Sequence, residues 1–241
     1  MTACLLCGQQ QAEQLYFAQL LLPFLLKGEN ASACGQHLPQ PGRLCASCQA
    51  NFALIGPVFC PQCGRKQATS ERCFDCNKWQ RVYHGQVLLN HALYAYNDAF
   101  HDLMVAYKRY GDYALREVLQ VLVAPALAKM DYDYYIPIPT SPEHQAKRKY
   151  DTIQAIFADL VPLTPALSKL PGSQAQGEKG KRARMEAPQK FVLNPAFSGQ
   201  LSGKVLLLDD IYTTGRTLYH ARDKLLEAFP QIRIESFAIS H

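Results

Sequence analysis

Long hydrophobic runs are missing from this chain, cysteine is missing after residue 76, and tryptophan occurs once in 241 residues. The densest apolar stretch, Leu15 to Leu26, is interrupted by Gln19 and Pro23. A bilayer needs ~20 apolar residues in succession, so no transmembrane helix is expected. The opening Met-Thr-Ala-Cys has neither the charged start nor the unbroken apolar core of a secretory leader, which leads to the expectation of a cytoplasmic protein. Low-complexity tracts are scarce too. With 48% hydrophobic and 19% charged residues, 14 glycines and 15 prolines, the composition excludes disordered and collagen-like classes. The length fits one large domain, or an ordinary domain with a smaller companion.

What the chain has, it has unevenly. All nine cysteines precede residue 77, and eight of them form four Cys-x-x-Cys pairs: Cys4 and Cys7, Cys45 and Cys48, Cys60 and Cys63, Cys73 and Cys76. Glutathione keeps cytoplasmic thiols reduced, so metal ligation is favoured over disulfides. A Cys-x-x-Cys turn puts two sulfurs on one side of a tight knuckle, and two knuckles close a tetrahedron around zinc. Cys60, Cys63, Cys73 and Cys76 make one such site, with nine residues between the knuckles and Gly64 where the backbone must turn. Cys4, Cys7, Cys45 and Cys48 would close a second across 37 residues. Pairing the first knuckle with the third is the competing arrangement. A four-thiolate site leaves no position for water, so one or two zinc ions are expected in a structural role. A thioredoxin-like use of one pair would need a βαβ setting that this region lacks. Two four-thiolate zinc ions would also cancel most of the formal charge of +5, leaving a chain that is basic only in patches.

From about Tyr83 the pattern changes to alternating strands and helices. Gln86–Tyr96 reads as a strand, with Asp98 as N-cap of a helix bearing Phe100, Leu103, Met104 and Tyr107. A second helix is expected from Tyr113 to Leu122, a buried strand at Tyr134–Pro139, and a helix from about Asp151. Strand Lys204–Leu208, a helix carrying Leu218, Ala221, Leu225, Leu226 and Phe229, and strand Ile232–Ile239 complete the series. Residues 171–190 are polar and lack apolar period, a flexible loop with a surplus of basic residues. The expected fold is therefore α/β: a parallel sheet flanked by helices over 81–241, preceded by a small zinc-ribbon module over 1–80.

The most informative stretch is Lys204 to Thr217, KVLLLDDIYTTGRT. Asp209 and Asp210 stand at the carboxyl end of an apolar strand, where α/β folds place ligands. Ribose hydroxyls or a hydrated magnesium ion would satisfy two such carboxylates. Thr213, Thr214, Gly215, Arg216 and Thr217 then turn into a helix, offering backbone N–H groups and hydroxyls to a phosphate. Sugar-gripping acids directly before a phosphate-gripping turn describe a phosphorylated pentose. The stretch resembles the 5-phosphoribosyl 1-pyrophosphate (PRPP) signature of type I phosphoribosyltransferases.

The resemblance extends over nearly the full chain. The cysteine module, Tyr107-Lys108-Arg109-Tyr110-Gly111-Asp112, the Ile-Pro-Ile-Pro strand and the PRPP signature follow the order of the ComF family of competence proteins, which includes GntX-like proteins. That resemblance implies a type I phosphoribosyltransferase-like sheet, with Asp209 and Asp210 on the ribose and the Thr213–Thr217 turn on the 5-phosphate. It also implies Lys108, Thr140 and Ser141 near the pyrophosphate. Where the family has Arg-Gly-Phe-Asn-Gln, this chain reads Arg148-Lys149-Tyr150-Asp151-Thr152. The loop around Arg182 matches the family's flexible segment, with Glu186 where an asparagine is common.

Two functions from different classes follow. One is a competence protein of DNA uptake and natural transformation: a PRPP-binding domain beside incoming single-stranded DNA, with helicase-like and recombination partners. Lys147, Arg148 and Lys149, next to Tyr150, would contact the strand. The other is a free-standing phosphoribosyltransferase of nucleotide or base metabolism. There magnesium would hold the pyrophosphate, and Asp209 and Asp210 would act as catalytic residues by electrostatic stabilisation of an oxocarbenium-like centre. A third reading, a zinc-dependent adaptor, requires that neither Asp209 nor Thr214 matter.

Overall fold

The computed structural model describes residues 2–11, 43–170, 189 and 191–241. The expected flexible loop at 171–190 and the lone Cys34 therefore lie outside the described residues, apart from Gln189.

Strands β1 (Thr2–Ala3) and β2 (Gln10–Gln11) pair antiparallel around the first cysteine knuckle. Two helices follow, α1 (Ala46–Gln49) and α2 (Phe74–Val82). The central sheet is built from β3 (Asn90–Tyr94), β4 (Tyr134–Pro137), β7 (Lys204–Ile211) and β8 (Arg233–Ser240), in the order β3-β8-β7-β4 with every pairing parallel. Between β3 and β4 run α3 (Asp98–Val105) and α4 (Arg116–Leu127); between β4 and β7 come α5 (Pro142–Arg148), α6 (Thr152–Phe157) and the hairpin strands β5 (Leu167–Lys169) and β6 (Phe191–Leu193). Helix α7 (Arg216–Ala228) carries the chain from β7 to β8.

A parallel sheet is covered on both faces, and the alternation along β7 shows which side chain goes where. Leu206 and Leu208 join Phe100, Leu103, Val118, Leu119, Ile153 and Phe237 in one buried cluster. Val205 and Leu207 join Ile136, Leu218, Ala221, Leu225 and Ala238 in the other. Each tetrad belongs to a different cluster. Cys4 and Cys45 pack with the first, while Cys60, Cys63, Cys73 and Cys76 pack with the second.

Several boundaries differ from the sequence expectation. The first helix is capped by Asn97, whose side chain accepts from the Phe100 N–H at 3.1 Å, and Asp98 is already inside it. Strand β3 is limited to Asn90–Tyr94, the stretch that meets β8. Helix α4 begins at Arg116, after a short turn at Tyr113–Leu115, and runs past Leu122 through Pro125 to Leu127. Burial of Val123 and Leu127 outweighs the proline there. The β5–β6 hairpin was not expected; it brings together the two ends of the 171–190 segment.

Candidate functional site

The ends of β4 and β7 set the site. Pro137 pairs with Leu208, and the Ile138 N–H donates to the Leu208 carbonyl at 2.9 Å, so the loops after both strands leave the sheet side by side. Strand β7 runs on through Asp209 and Asp210. Asp210 is buried, its carboxylate against the Lys108 ammonium, while Asp209 remains partly accessible. Burial first, and the Asp210 charge second, push Asp209 up to about 7, against the opposing pull of Lys108. One carboxylate is thus paired with a cation, and the other is left electrostatically costly: a setting for a ligand that donates hydrogen bonds or brings positive charge.

Lys108 reaches Asp210 because α3 does not end as an α-helix. Residues Ala106–Tyr110 widen into a π-turn closed by Gly111, which sits at φ 74° and donates to the Ala106 carbonyl. Such widened turns frequently occur at functional sites.

After Ile211 the chain turns at Thr213, Thr214 and Gly215 into α7. Gly215 has φ 77°, and a Cβ there would lie 2.2 Å from the Tyr212 hydroxyl, so both conformation and space demand glycine. Thr214 is buried, its Oγ1 accepting from the Arg216 N–H at 3.4 Å; Thr213 is exposed, and Arg216 and Thr217 are half-buried at the start of the helix. A glycine-closed turn at a helix N-terminus is a geometry that can receive an anion.

Thr140 and Ser141 follow β4, in the loop that leaves the sheet next to the end of β7. The Thr140 N–H donates to Asp151 at 2.8 Å, and the Thr140 and Thr152 hydroxyls are 3.0 Å apart. Ser141 is buried, 2.7 Å from His144 Nδ1. The other Asp151 oxygen caps α6 by accepting from the N–H groups of Ile153 and Gln154, both at 3.0 Å. Sequence reasoning did not assign Asp151; its place in the altered family run was the available signal. In the same run Lys149 adopts φ 69°, a left-handed conformation that a glycine would adopt without cost.

The basic trio is divided. Lys147 and Lys149 are exposed, whereas Arg148 donates from Nε to the Lys108 carbonyl at 2.8 Å and so braces the π-turn. Tyr150 also braces it, donating to the Tyr107 carbonyl at 2.5 Å. Its ring lies 4.9 Å from that of Tyr113, over which Arg116 stacks at 4.2 Å. Tyr110 is 82% exposed and Tyr113 45%.

The cysteines resolve into Cys4, Cys7, Cys45, Cys48 and Cys60, Cys63, Cys73, Cys76, each set with its sulfurs within 4.8 Å of one another. The pairing is therefore sequential, not crossed. Sulfur separations of 3.7 Å (Cys7 to Cys45) and 3.8 Å (Cys63 to Cys73) match the ~3.8 Å edge of a tetrahedron with Zn–S bonds of ~2.3 Å. In both first knuckles a left-handed glycine donates back to the first cysteine carbonyl at 2.9 Å, Gly8 to Cys4 and Gly64 to Cys60. Four thiols so close cannot all ionise unaided: the sulfurs of Cys63 and Cys76 push Cys73 far down, while those of Cys63 and Cys73 push Cys76 far up. A dication is the group that lets all four be thiolates, and the donor sets fit structural zinc.

Two residues next to the second tetrad also reach the Thr213–Thr217 turn, which the sequence did not suggest. Trp79, one helical turn beyond Cys76, donates from Nε1 to the Thr214 carbonyl at 2.7 Å. Arg65, two residues beyond Cys63, pairs with Asp75 at 2.6 Å and donates to the Thr213 carbonyl at 3.4 Å.

Comparison with known proteins agrees with this layout. A family profile described as a double zinc ribbon domain matches residues 25–77, a span that includes the last six paired cysteines. Competence protein ComFC of Streptococcus pneumoniae (strain ATCC BAA-255 / R6) is 30% identical over 236 residues, 98% of each chain. Competence protein ComFC of Bacillus subtilis (strain 168) is 28% identical over 243 aligned positions, 98% of this chain and 93% of the relative. With a parallel sheet behind two cysteine tetrads and a near full-length match to these relatives, the chain belongs to the ComFC family of competence proteins.

Proposed function

We propose that this chain serves natural transformation by binding PRPP with magnesium at the carboxyl ends of β4 and β7 while handling single-stranded DNA beside that site. The observation that carries the reading is the juxtaposition on β7: a raised Asp209 and a Lys108-paired Asp210 open directly onto the Thr213–Thr217 turn. Asp209 and Asp210 would accept from the ribose hydroxyls, and the turn would hold the 5-phosphate. By the family resemblance Lys108, Thr140 and Ser141 would lie near the pyrophosphate. Magnesium, when bound, would neutralise the pyrophosphate and make it a better leaving group. As catalytic residues, Asp209 and Asp210 would stabilise positive charge at the anomeric carbon.

The DNA part rests on the relatives' description as competence proteins and on the surface around the π-turn. Exposed Tyr110 and Tyr113 stand with Arg109, Lys147 and Lys149, a combination of stacking faces and phosphate-seeking cations. Helicase-like and recombination proteins of competence are the expected partners.

Calorimetric titration of PRPP with magnesium, and separately of a single-stranded oligonucleotide, into the zinc-loaded protein tests both parts. Saturable PRPP heat that is lost in Asp210→Asn, and salt-dependent oligonucleotide binding, are expected. Absence of PRPP heat overturns the first part; absence of oligonucleotide binding at low salt overturns the second.

A further inference from the structure

We propose that Trp79 and Arg65, both held by the second cysteine tetrad, are the positioning residues of the phosphate turn, fixing which way its peptide groups face. The inference rests on the phosphoribosyl reading and says how that site is kept ready.

The argument begins with the planarity of the peptide bond. In a trans peptide the carbonyl and the following N–H point in opposite directions. Trp79 Nε1–H draws the Thr214 carbonyl toward the protein interior at 2.7 Å, so the N–H of Gly215 is turned to the other side. Arg65 donates to the Thr213 carbonyl at 3.4 Å through an exposed contact, which points the N–H of Thr214 away from the guanidinium. Among the described residues neither N–H has a hydrogen-bonding partner. Two adjacent N–H groups, each turned away from an anchored carbonyl at the start of a 13-residue helix, form the nest an anion takes.

The anchors themselves are rigid. Trp79 is 2% exposed and stacks on Tyr219 of α7 at 4.4 Å; Tyr83 stacks on Tyr219 at 4.7 Å and lies 5.8 Å from Trp79, so the three rings pack together. Tyr83 donates to Asp223 at 2.6 Å, and the Leu88 N–H donates to the Tyr219 hydroxyl at 3.2 Å. Helix α2, which bears Trp79, also carries Cys76 in its first turn, while Arg65 follows directly on the Cys63–Gly64 turn and is oriented by Asp75. The zinc ribbon thus does more than fold itself: it holds two donors against the back of the turn. Preorganised in this way, the turn need not reorient its peptides when the phosphate arrives.

The sole tryptophan supplies the test, because its indole N–H gives a single side-chain signal of that type in a ¹⁵N correlation spectrum. PRPP with magnesium is titrated into the zinc-loaded full chain while that signal is followed, and the affinity is measured by calorimetry for the unmodified protein and for Trp79→Phe, which keeps a ring but loses the donor. The expected result is an indole signal that moves with the calorimetric midpoint, and PRPP binding weakened about tenfold in Trp79→Phe at unchanged zinc content. Equal affinity in a zinc-loaded Trp79→Phe overturns the positioning role and leaves the phosphoribosyl reading standing. No PRPP binding by the unmodified protein overturns both. Should Trp79→Phe lose its zinc, the indole titration decides: a signal unmoved at saturating PRPP overturns the inference.

Discussion

Asp209 and Asp210 are neighbours in sequence with different electrostatic surroundings, and that difference is measurable. Asp210 has the Lys108 ammonium against it. Asp209 is held at about 7, against an ordinary 3.8, by burial and by the charge of Asp210. Between those two values the folded protein keeps a proton that the unfolded chain has lost, so the stability due to Asp209 is full below the lower value and declines as pH rises through the upper. Asp209→Asn removes the ionisation while keeping the oxygen that accepts from the Asp210 N–H at 2.9 Å. Thermal melts are expected to show no gain from this substitution at pH 4 and a gain that reaches its plateau by about pH 8; an equal gain at both ends contradicts the assignment. Lys108 makes a separate case. Its removal as Lys108→Met strands the Asp210 carboxylate and is expected to lower stability by ~2 kcal/mol, less than a fully buried pair because the lysine is 27% exposed. Adding Asp210→Asn should recover most of that loss in chemical denaturation, since the stranded charge goes with it.

The Thr213–Thr217 turn shows at the scale of an element how narrow the allowed sequence is. Gly215→Ala meets two penalties at once, a left-handed φ of 77° and a Cβ 2.2 Å from the Tyr212 hydroxyl. A loss of ~2 kcal/mol is expected in urea unfolding, and the double variant with Tyr212→Phe should recover only the steric share. If Gly215→Ala is neutral, the turn is not built as described. This element was legible in advance because its chemistry is local: an apolar strand, two acids and a Thr-Thr-Gly turn lie within 14 residues. The helix faces were legible for the same reason, Phe100, Leu103, Leu218 and Leu225 all being buried where their spacing put them. What escaped was set at a distance. The three-residue strands β5 and β6 are too short to carry a period, and they exist because Leu167 and Phe191 find a place in the second cluster. Trp79 and Arg65 meet the turn across 135 and 148 positions of chain, and no local pattern signals such a contact. Lys149 adopts the backbone conformation usual for glycine, and a lysine in the sequence gives no sign of such a turn.

At the scale of the whole molecule, the cysteine-rich segment and the sheet share their interiors. Cys4 and Cys45 are buried with Phe100, Leu119 and Phe237. Cys60, Cys63, Cys73 and Cys76 are buried with Val205, Leu207, Tyr219 and Leu225. A metal that stabilises each tetrad therefore stabilises the packing over a face of the sheet, and by linkage its removal must lower the stability of whatever unfolds with it. Segments 1–80 and 81–241 are accordingly expected to unfold together. Differential scanning calorimetry of the zinc-loaded protein should give one transition, and extracting zinc with a chelator should move that whole transition to lower temperature, with far-ultraviolet and near-ultraviolet dichroism following the same curve. The two sites should also differ. Cys73→Ser, beside the phosphate turn, is expected to weaken PRPP binding at temperatures where the protein is still folded, because Trp79 and Arg65 lose their support. Cys45→Ser, on the other cluster, should lower the melting temperature and leave PRPP affinity within about twofold. A separate low-temperature peak that vanishes on chelation while the main peak stays in place would show two independent bodies, and equal effects of the two serine variants on PRPP would show that the second tetrad has no particular link to the turn.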